Sequence, residues 1–275
     1  MKFGLDVATD GEWSDPRLLV DLAVEAEKAG WDGFFLWDIL FPDDASQPVA
    51  DPWIALAAIA ARTSRIRIGA MVTPVARRQP WEVAKQVASL DGLSSGRVTV
   101  GVGLGWKPAE FEQLGLDSEV RGRIARAEDT LALLDRWWRG EAASSEAASI
   151  RDVRLLPRPA QQPRPPIWLA AGLPRRAPLD RAARWDGIYL MTHNQATDAY
   201  LMPGEVAEAA SYVRSKAGAA FDVAVNIEPA EDPADLDTAR ARARAMAGAG
   251  ATWIVELTPE TVEEHRSLIR RGPPR

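Results

Sequence analysis

Short β-branched or apolar runs alternate with longer helix-periodic stretches along this 275-residue chain, and that alternation restricts the fold more than any other feature. The runs cover residues 3–7, 33–37, 66–72, 97–102, 167–171, 187–191, 223–227 and 252–257. Strands that alternate with helices run parallel, because the chain must cross back over the sheet before each new strand, and it does so right-handedly. Eight such units in roughly 250 residues predict one α/β domain over residues 1–275, a (β/α)8 TIM barrel. The competitor is an open doubly wound sheet. Its dinucleotide fingerprint, G-x-G-x-x-G between the first strand and first helix, is missing.

The helices carry their own punctuation. Asp15-Pro16 is an N-cap followed by proline at the first helical position, Leu18, Leu19, Leu22, Ala23 and Ala26 repeat at helical spacing, and Gly30 suits the end. Asp51-Pro52 opens a second helix, with Ile54, Ala57, Ala58 and Ala61 or their neighbours expected inside. Pro80 opens a third, with Val83, Ala84, Val87 and Leu90 inward and Gly92 after it. A fourth repeats Ile124, Ala127, Leu131, Leu134 and Trp138. Later helices are expected over 205–214, from Asp232-Pro233 onward, and from Thr258-Pro259 onward. Residues 142–166, rich in Ala, Ser, Pro and Gln, read as an excursion between strands four and five.

The 47% hydrophobic content supplies a sizeable core, and no apolar stretch approaches the roughly 18–20 residues of a membrane span. With neither a span nor a signal-peptide pattern at Met1-Lys2-Phe3, a cytoplasmic protein is expected. The absence of cysteine excludes disulfides, thiol nucleophiles and thiolate metal sites, and His193 and His265 are too few for a multi-histidine centre, so no metal is expected. A net charge of −6 argues against a nucleic-acid partner. The expected partner is a small-molecule substrate.

In a parallel barrel the residues after each strand face one mouth. Trp37-Asp38-Ile39 follows strand two, where Asp38 either caps loop amides or faces a ligand. Gly69-Ala70-Met71-Val72-Thr73-Pro74 ends strand three on small residues, and Arg77-Arg78 beyond it reads as a solvated charged turn or an anion contact. Gly101-Val102-Gly103-Leu104-Gly105-Trp106 ends strand four with three glycines, which allow close backbone approach by a flat ring. Ala170-Ala171-Gly172 ends strand five equally bare. Arg121, Arg123 and Arg126, with Glu128 and Asp129, read as a solvated or interface stripe.

Three blocks, Gly69 to Pro80, Leu90-Asp91-Gly92-Leu93-Ser94-Ser95-Gly96-Arg97 and GVGLGW, together resemble the bacterial-luciferase-like superfamily. GVGLGW followed by Glu110-Phe111, Gly115, Arg121-Gly122-Arg123 and Glu128 resembles its deazaflavin-dependent branch. The resemblance implies an oxidoreductase that moves a hydride between coenzyme F420 and a small organic substrate. FMN with monooxygenase chemistry, or a barrel that binds flavin without turnover, are the alternatives. It further implies cofactor contacts at Asp38, Ala70, Met71, Leu104, Gly105, Ala170, Ala171 and Gly172, and a non-prolyl cis peptide between Ala70 and Met71. A homodimer is a common assembly of such proteins. Arg175 and Arg176 are candidates for the cofactor phosphate, or a solvated basic turn, while Trp37, Ile39 and Trp106 would shape a substrate pocket. Many members carry Trp-Asp-His where this chain has Trp37-Asp38-Ile39, and isoleucine transfers no proton. His193, just past strand six, is the candidate catalytic replacement, and a hydrogen-bonded structural histidine is the other reading. His265, inside the last helix, is expected at the surface or in packing.

Overall fold

The computed structural model describes residues 1–42, 44–191, 200–227, 231–232 and 234–275. Its elements run β1 (Lys2–Val7), α1 (Pro16–Ala29), β2 (Gly33–Leu36), α2 (Pro52–Arg62), β3 (Arg67–Ala70), β4 (Thr73–Pro74), α3 (Pro80–Leu93) and β5 (Val100–Gly103). They continue with α4 (Ala109–Glu112), α5 (Val120–Trp138), β6 (Ala143–Ser145), β7 (Ile150–Val153), β8 (Ile167–Ala171), α6 (Arg176–Ala182) and β9 (Gly187–Leu190). The chain ends through α7 (Pro203–Ala217), β10 (Asp222–Ile227), α8 (Leu236–Gly248), β11 (Trp253–Leu257) and α9 (Val262–Arg271).

Nine strand segments pair in the order β3-β2-β1-β11-β10-β9-β8-β5-β4, parallel throughout. A parallel bridge from Ile68 to Val98 brings β3 against the approach to β5, so the sheet is a nearly closed barrel flanked by helices. The expected single strand over 66–72 is two segments. β3 pairs with β2, Met71 N still donates to Leu36 O at 2.9 Å, and then the chain crosses to pair Thr73 with Val102 of β5. The non-prolyl cis peptide accordingly lies between Met71 and Val72, one residue later than expected, because the β2 register holds through Met71. The excursion over 142–166 contains the antiparallel hairpin of β6 and β7.

Local caps form where expected at Asp15, whose side chain accepts from Arg17 N, and at Asp51, which accepts from Trp53 N and Ile54 N. Gly30 ends α1 at φ 92°, a left-handed conformation that glycine adopts without a Cβ clash. The buried stripe of α2 is Trp53, Ala55, Leu56, Ile59 and Ala60, one residue off the expected face, and Ile54 is exposed. A helix this rich in alanine has a weak apolar bias, so the bulky Trp53 and Leu56 decide its orientation. Gly92 lies inside α3, and α9 begins at Val262, after a cap by Thr261.

Two cores follow from the alternation of side chains along each strand. One face, with Phe3, Leu5, Val7, Phe34, Leu36, Ile68 and Ala70, joins the helices in the larger core. The other face fills the barrel with Phe35, Met71, Trp168, Tyr189, Ala224, Trp253 and Val255. Trp168 and Trp253 meet edge to face at 5.3 Å between centroids, and Phe35 lies 6.1 Å from each. Room for these rings comes from strand glycines. A Cβ on Gly33 would stand 2.6 Å from the Phe35 ring, and one on Gly187 would stand 2.4 Å from Trp168. The rings plug the lower barrel and leave polar chemistry to the upper end.

His265 is fully buried beneath α9, 5.2 Å from the Trp13 ring, so it serves packing and not the surface. Neither ring nitrogen has a hydrogen-bond partner, and burial holds its pKa down at about 3. Unfolded, the imidazole titrates near 6.5, so between about pH 6.5 and 3 the unfolded chain binds the extra proton and stability falls as pH falls. A His265→Leu variant is expected to lose about 2 kcal/mol less than the parent protein between pH 7 and 5 in urea titrations. Parallel losses in both proteins would contradict this.

Candidate functional site

The strand ends opposite the aromatic plug carry a buried charge cluster that ties three loops together. Asp38, after β2, is 3% exposed. Its Oδ1 accepts from Arg77 Nη2 and Arg78 Nη2, each at 2.7 Å, and its Oδ2 accepts from Arg78 Nε at 2.9 Å. Arg77 Nη1 donates to Glu110 Oε2, while Glu110 Oε1 accepts from Leu40 N at 2.7 Å and Phe41 N at 3.3 Å. Arg77-Arg78 is therefore not a solvated turn. Two carboxylates enclosed near the mouth need opposite charge beside them, and these guanidiniums supply it. Sequence reasoning missed this because the partners lie 33 and 39 residues apart.

The glycines of β5 have occupants from the chain itself. A Cβ on Gly101 would lie 2.4 Å from both Ala70 O and Met71 Sδ, and one on Gly103 would lie 2.5 Å from Val72 Cγ2. Their bareness admits the β3–β4 crossing into the barrel, where the sequence suggested a ligand ring directly. Gly105, at φ 78°, packs against Phe111. Arg123 is buried and not part of a solvated stripe. It donates to Gly105 O at 2.5 Å, and its guanidinium lies 5.0 Å from the Phe111 ring centroid. The backbone at Gly105 would otherwise have an unmatched carbonyl, and Arg123 reaches it from α5.

The expected cofactor residues separate by facing. Ala70 and Ala171 belong to the outer core, whereas Met71 is in the barrel. Ala170 is half-buried and pairs in register with Tyr189, Gly172 is buried, and Leu104 and Gly105 are half-buried at the rim. Arg175 and Arg176 are exposed at the start of α6. Arg176 pairs with Glu208 at 3.1 Å and stacks on Tyr212, whereas no ion pair forms at Arg175 among the described residues. Trp37 and Ile39 are half-buried, and Trp106 is 70% exposed with the Lys107 ammonium 4.8 Å from its ring. Beside them a groove of about 500 Å³ separates the loops after β2 and β5, lined by Leu40, Phe41, Val49, Lys107 and Gln113 among others. A second cavity of about 290 Å³ lies at the barrel's opposite end, bordered by Lys2, Arg67 and Trp253, away from these groups. His193 lies outside the described residues.

One polar group inside the upper barrel was not singled out in the sequence. Asp6 is 3% exposed on β1, and its Oδ2 accepts from Tyr189 Oη on β9 and from Asn226 Nδ2 on β10, the latter at 3.0 Å. Its Oδ1 accepts no hydrogen bond of ordinary geometry. Burial raises the carboxyl to about 7, and Tyr189, Trp37 and Asn226 offset only part of that effect. The Tyr189 hydroxyl is pushed well above its usual value by burial and by the neighbouring Asp6. Parity was the available signal, since Asp6 alternates with core-facing Leu5 and Val7.

A parallel barrel with an aromatic base and buried ionic groups at the strand C-termini is the scaffold of a mouth-sited α/β-barrel enzyme. The chain belongs to the luciferase-like family, whose description is Luciferase-like monooxygenase and whose profile matches residues 2–271, on its F420-dependent branch. An F420-dependent glucose-6-phosphate dehydrogenase of Microbacterium testaceum is 32% identical over 246 residues, covering 85% of this chain and 70% of the relative. One from Beutenbergia cavernae is 34% identical over 228 residues, covering 79% of this chain and 65% of that protein, so the chain spans about two thirds of such relatives. The crystal structure of the monooxygenase RslO1 from Streptomyces bottropensis shares the fold, with a TM-score of 0.80, 22% identity and coverage of 98% and 97% of the two chains.

Proposed function

We propose that this protein is an oxidoreductase that binds coenzyme F420 at the mouth of an eight-unit barrel, β3 and β4 counting as one interrupted strand, and exchanges a hydride with a small organic substrate. The observation that carries this reading is the identity with F420-dependent dehydrogenases along 85% of the chain. Residues at the mouth fit such a group. Half-buried Ala170 and Gly105 offer little side chain to obstruct a planar ring, and the Arg175 guanidinium is exposed near the ends of these strands for a phosphate. The orphaned Oδ1 of Asp6 points to a polar partner still to be supplied. When bound, F420 would supply two-electron hydride chemistry, and the protein would orient substrate and exclude water.

The substrate class follows from which cations are already engaged. Arg77, Arg78, Arg123, Arg176 and Lys107 all have protein partners, while Trp37, Ile39 and Trp106 present apolar surface. A neutral, largely apolar alcohol or carbonyl compound suits this lining better than a phosphorylated sugar. Fluorescence titration with oxidised F420 and with FMN tests the reading. F420 is expected to bind at least about tenfold more tightly, a difference of about 1.4 kcal/mol. Tight binding of FMN alone would favour the monooxygenase alternative, F420 binding without turnover on a broad panel would favour a non-catalytic binding barrel, and binding of neither would overturn the proposal.

A further inference from the structure

This chain has Ile39 after Trp37-Asp38, where many members of the resembled deazaflavin-dependent branch carry a histidine, so a hydride transfer between a carbinol and a carbonyl needs another group to carry the proton. Asp6 meets the requirements of such a group. It lies on β1 facing the barrel interior, one residue from the strand's C-terminal end, and half-buried Trp37, whose backbone N–H donates to Val7 O at 2.9 Å, reaches the carboxyl with its side chain. Its Oδ2 is engaged by Tyr189 and Asn226, which fix the carboxyl plane, while the Trp37 side chain also reaches the carboxyl and Oδ1, itself buried, accepts no hydrogen bond of ordinary geometry. Asn226 Nδ2 also donates to Tyr189 Oη, so the three side chains lock one another. On the neighbouring strand, Ala170 pairs with Tyr189, which puts the triad against the wall expected to meet the ring.

We propose that Asp6 is the catalytic proton-transfer residue of this barrel, through Oδ1, with Tyr189 and Asn226 as its positioning residues. The inference rests on the deazaflavin reading. In the oxidising direction the substrate's C–H and O–H bonds break and a C=O bond forms. The C–H electron pair would leave as the hydride that F420 accepts when bound, and the hydroxyl proton passes to Asp6. The reverse reaction returns that proton to the carbonyl oxygen. A carboxyl that exchanges its proton near pH 7 suits both directions. Tyr189 is the one titratable side chain hydrogen-bonded to it among the described residues. Tyrosine's own proton is held far more tightly, so the shared proton chemistry falls to Asp6.

The test compares the parent protein with Asp6→Asn and Tyr189→Phe, each loaded with F420 and offered secondary alcohols from pH 5 to 9. Asp6→Asn is expected to lower kcat at least about 100-fold while KM and the F420 dissociation constant change less than about threefold. The parent's alcohol oxidation should rise with pH through a value near 7, and Asp6→Asn should lack that rise. Tyr189→Phe removes a donor that favours the charged carboxyl, so it should move the inflection upward by about one pH unit with the plateau retained. Independently of turnover, infrared difference spectra should show a protonated-carboxyl band that disappears above pH 7 in the parent and is absent in Asp6→Asn. F420 binding with unaltered turnover in Asp6→Asn, or a parent protein without the titrating band, overturns the assignment of Asp6 alone. Failure of the parent to bind F420 overturns the deazaflavin reading and this inference with it.

Discussion

Arg77→Met is expected to destabilise the protein by about 3–5 kcal/mol, read as a fall in the urea midpoint at unchanged slope. The reason is electrostatic. Asp38, Arg77, Arg78 and Glu110 form a neutral set of two carboxylates and two guanidiniums, and the side chains of Asp38, Glu110 and Arg77 are at most 3% exposed. Methionine occupies similar volume but, among the described residues, leaves Glu110 with the Leu40 and Phe41 amides and Asp38 with Arg78. An enclosed carboxylate without a counter-charge costs far more than the intact pair contributes. Adding Glu110→Gln to Arg77→Met removes one of the stranded charges, so the double variant should recover part of the loss, and a double-mutant cycle would measure the coupling. Because the cluster holds the loops after β2, β4 and β5, Arg77→Met should also weaken binding of the coenzyme proposed for this mouth. A loss below about 1 kcal/mol would mean that the cluster is hydrated and exchangeable.

Gly69→Ala is expected to be comparably severe. Its Cβ would stand 1.9 Å from Thr99 O, a backbone atom that cannot rotate aside. The barrel closes at this point through the Ile68–Val98 bridge, with Thr99 N donating to Ile68 O at 2.9 Å. Relief requires separating those chains, so the loss should exceed the roughly 1–3 kcal/mol of ordinary overpacking and reduce the yield of folded protein. Gly92→Ala is the contrast. Nothing lies within 4 Å of a Cβ there, and in the last turns of α3 alanine should be neutral or stabilising by up to about 1 kcal/mol. Equal behaviour of the two variants would refute the steric argument.

Legibility differed by the range of the interaction. Asp15, Pro16 and Gly30 act within one turn of their helix, and Ile167–Ala171 was readable to the residue because a short apolar run between breakers leaves few alternatives. The α2 face was readable only to within one position, and the buried residues are the neighbours of Ile54, Ala57, Ala58 and Ala61, because an alanine-rich helix has little periodic contrast. The three bare strand ends at Gly69, Gly101 and Ala170 were visible as small residues, but their neighbours were not. At Gly101 and Gly103 the space holds Met71 and Val72 of the same chain. Arg77 and Arg123 read as solvated because the sequence around each is polar, while their partners Glu110 and Gly105 arrive from other loops.

What the amino-acid sequence determined by itself is the alternating parallel architecture, the positions of most strands and helices, and the family to which the chain belongs. Period, caps and breakers are local, and they act before any tertiary contact exists. Only the tertiary structure decided that the third strand divides between two neighbours, that Asp38 is enclosed by paired arginines, and that Asp6, Tyr189 and Asn226 converge. Those three residues are separated by 183 and 37 positions, and each is unremarkable beside its own neighbours. Closure of the barrel removes them from water together, and it is burial, against the lowering pull of the Tyr189, Trp37 and Asn226 hydrogen bonds, that raises the Asp6 carboxyl to about 7.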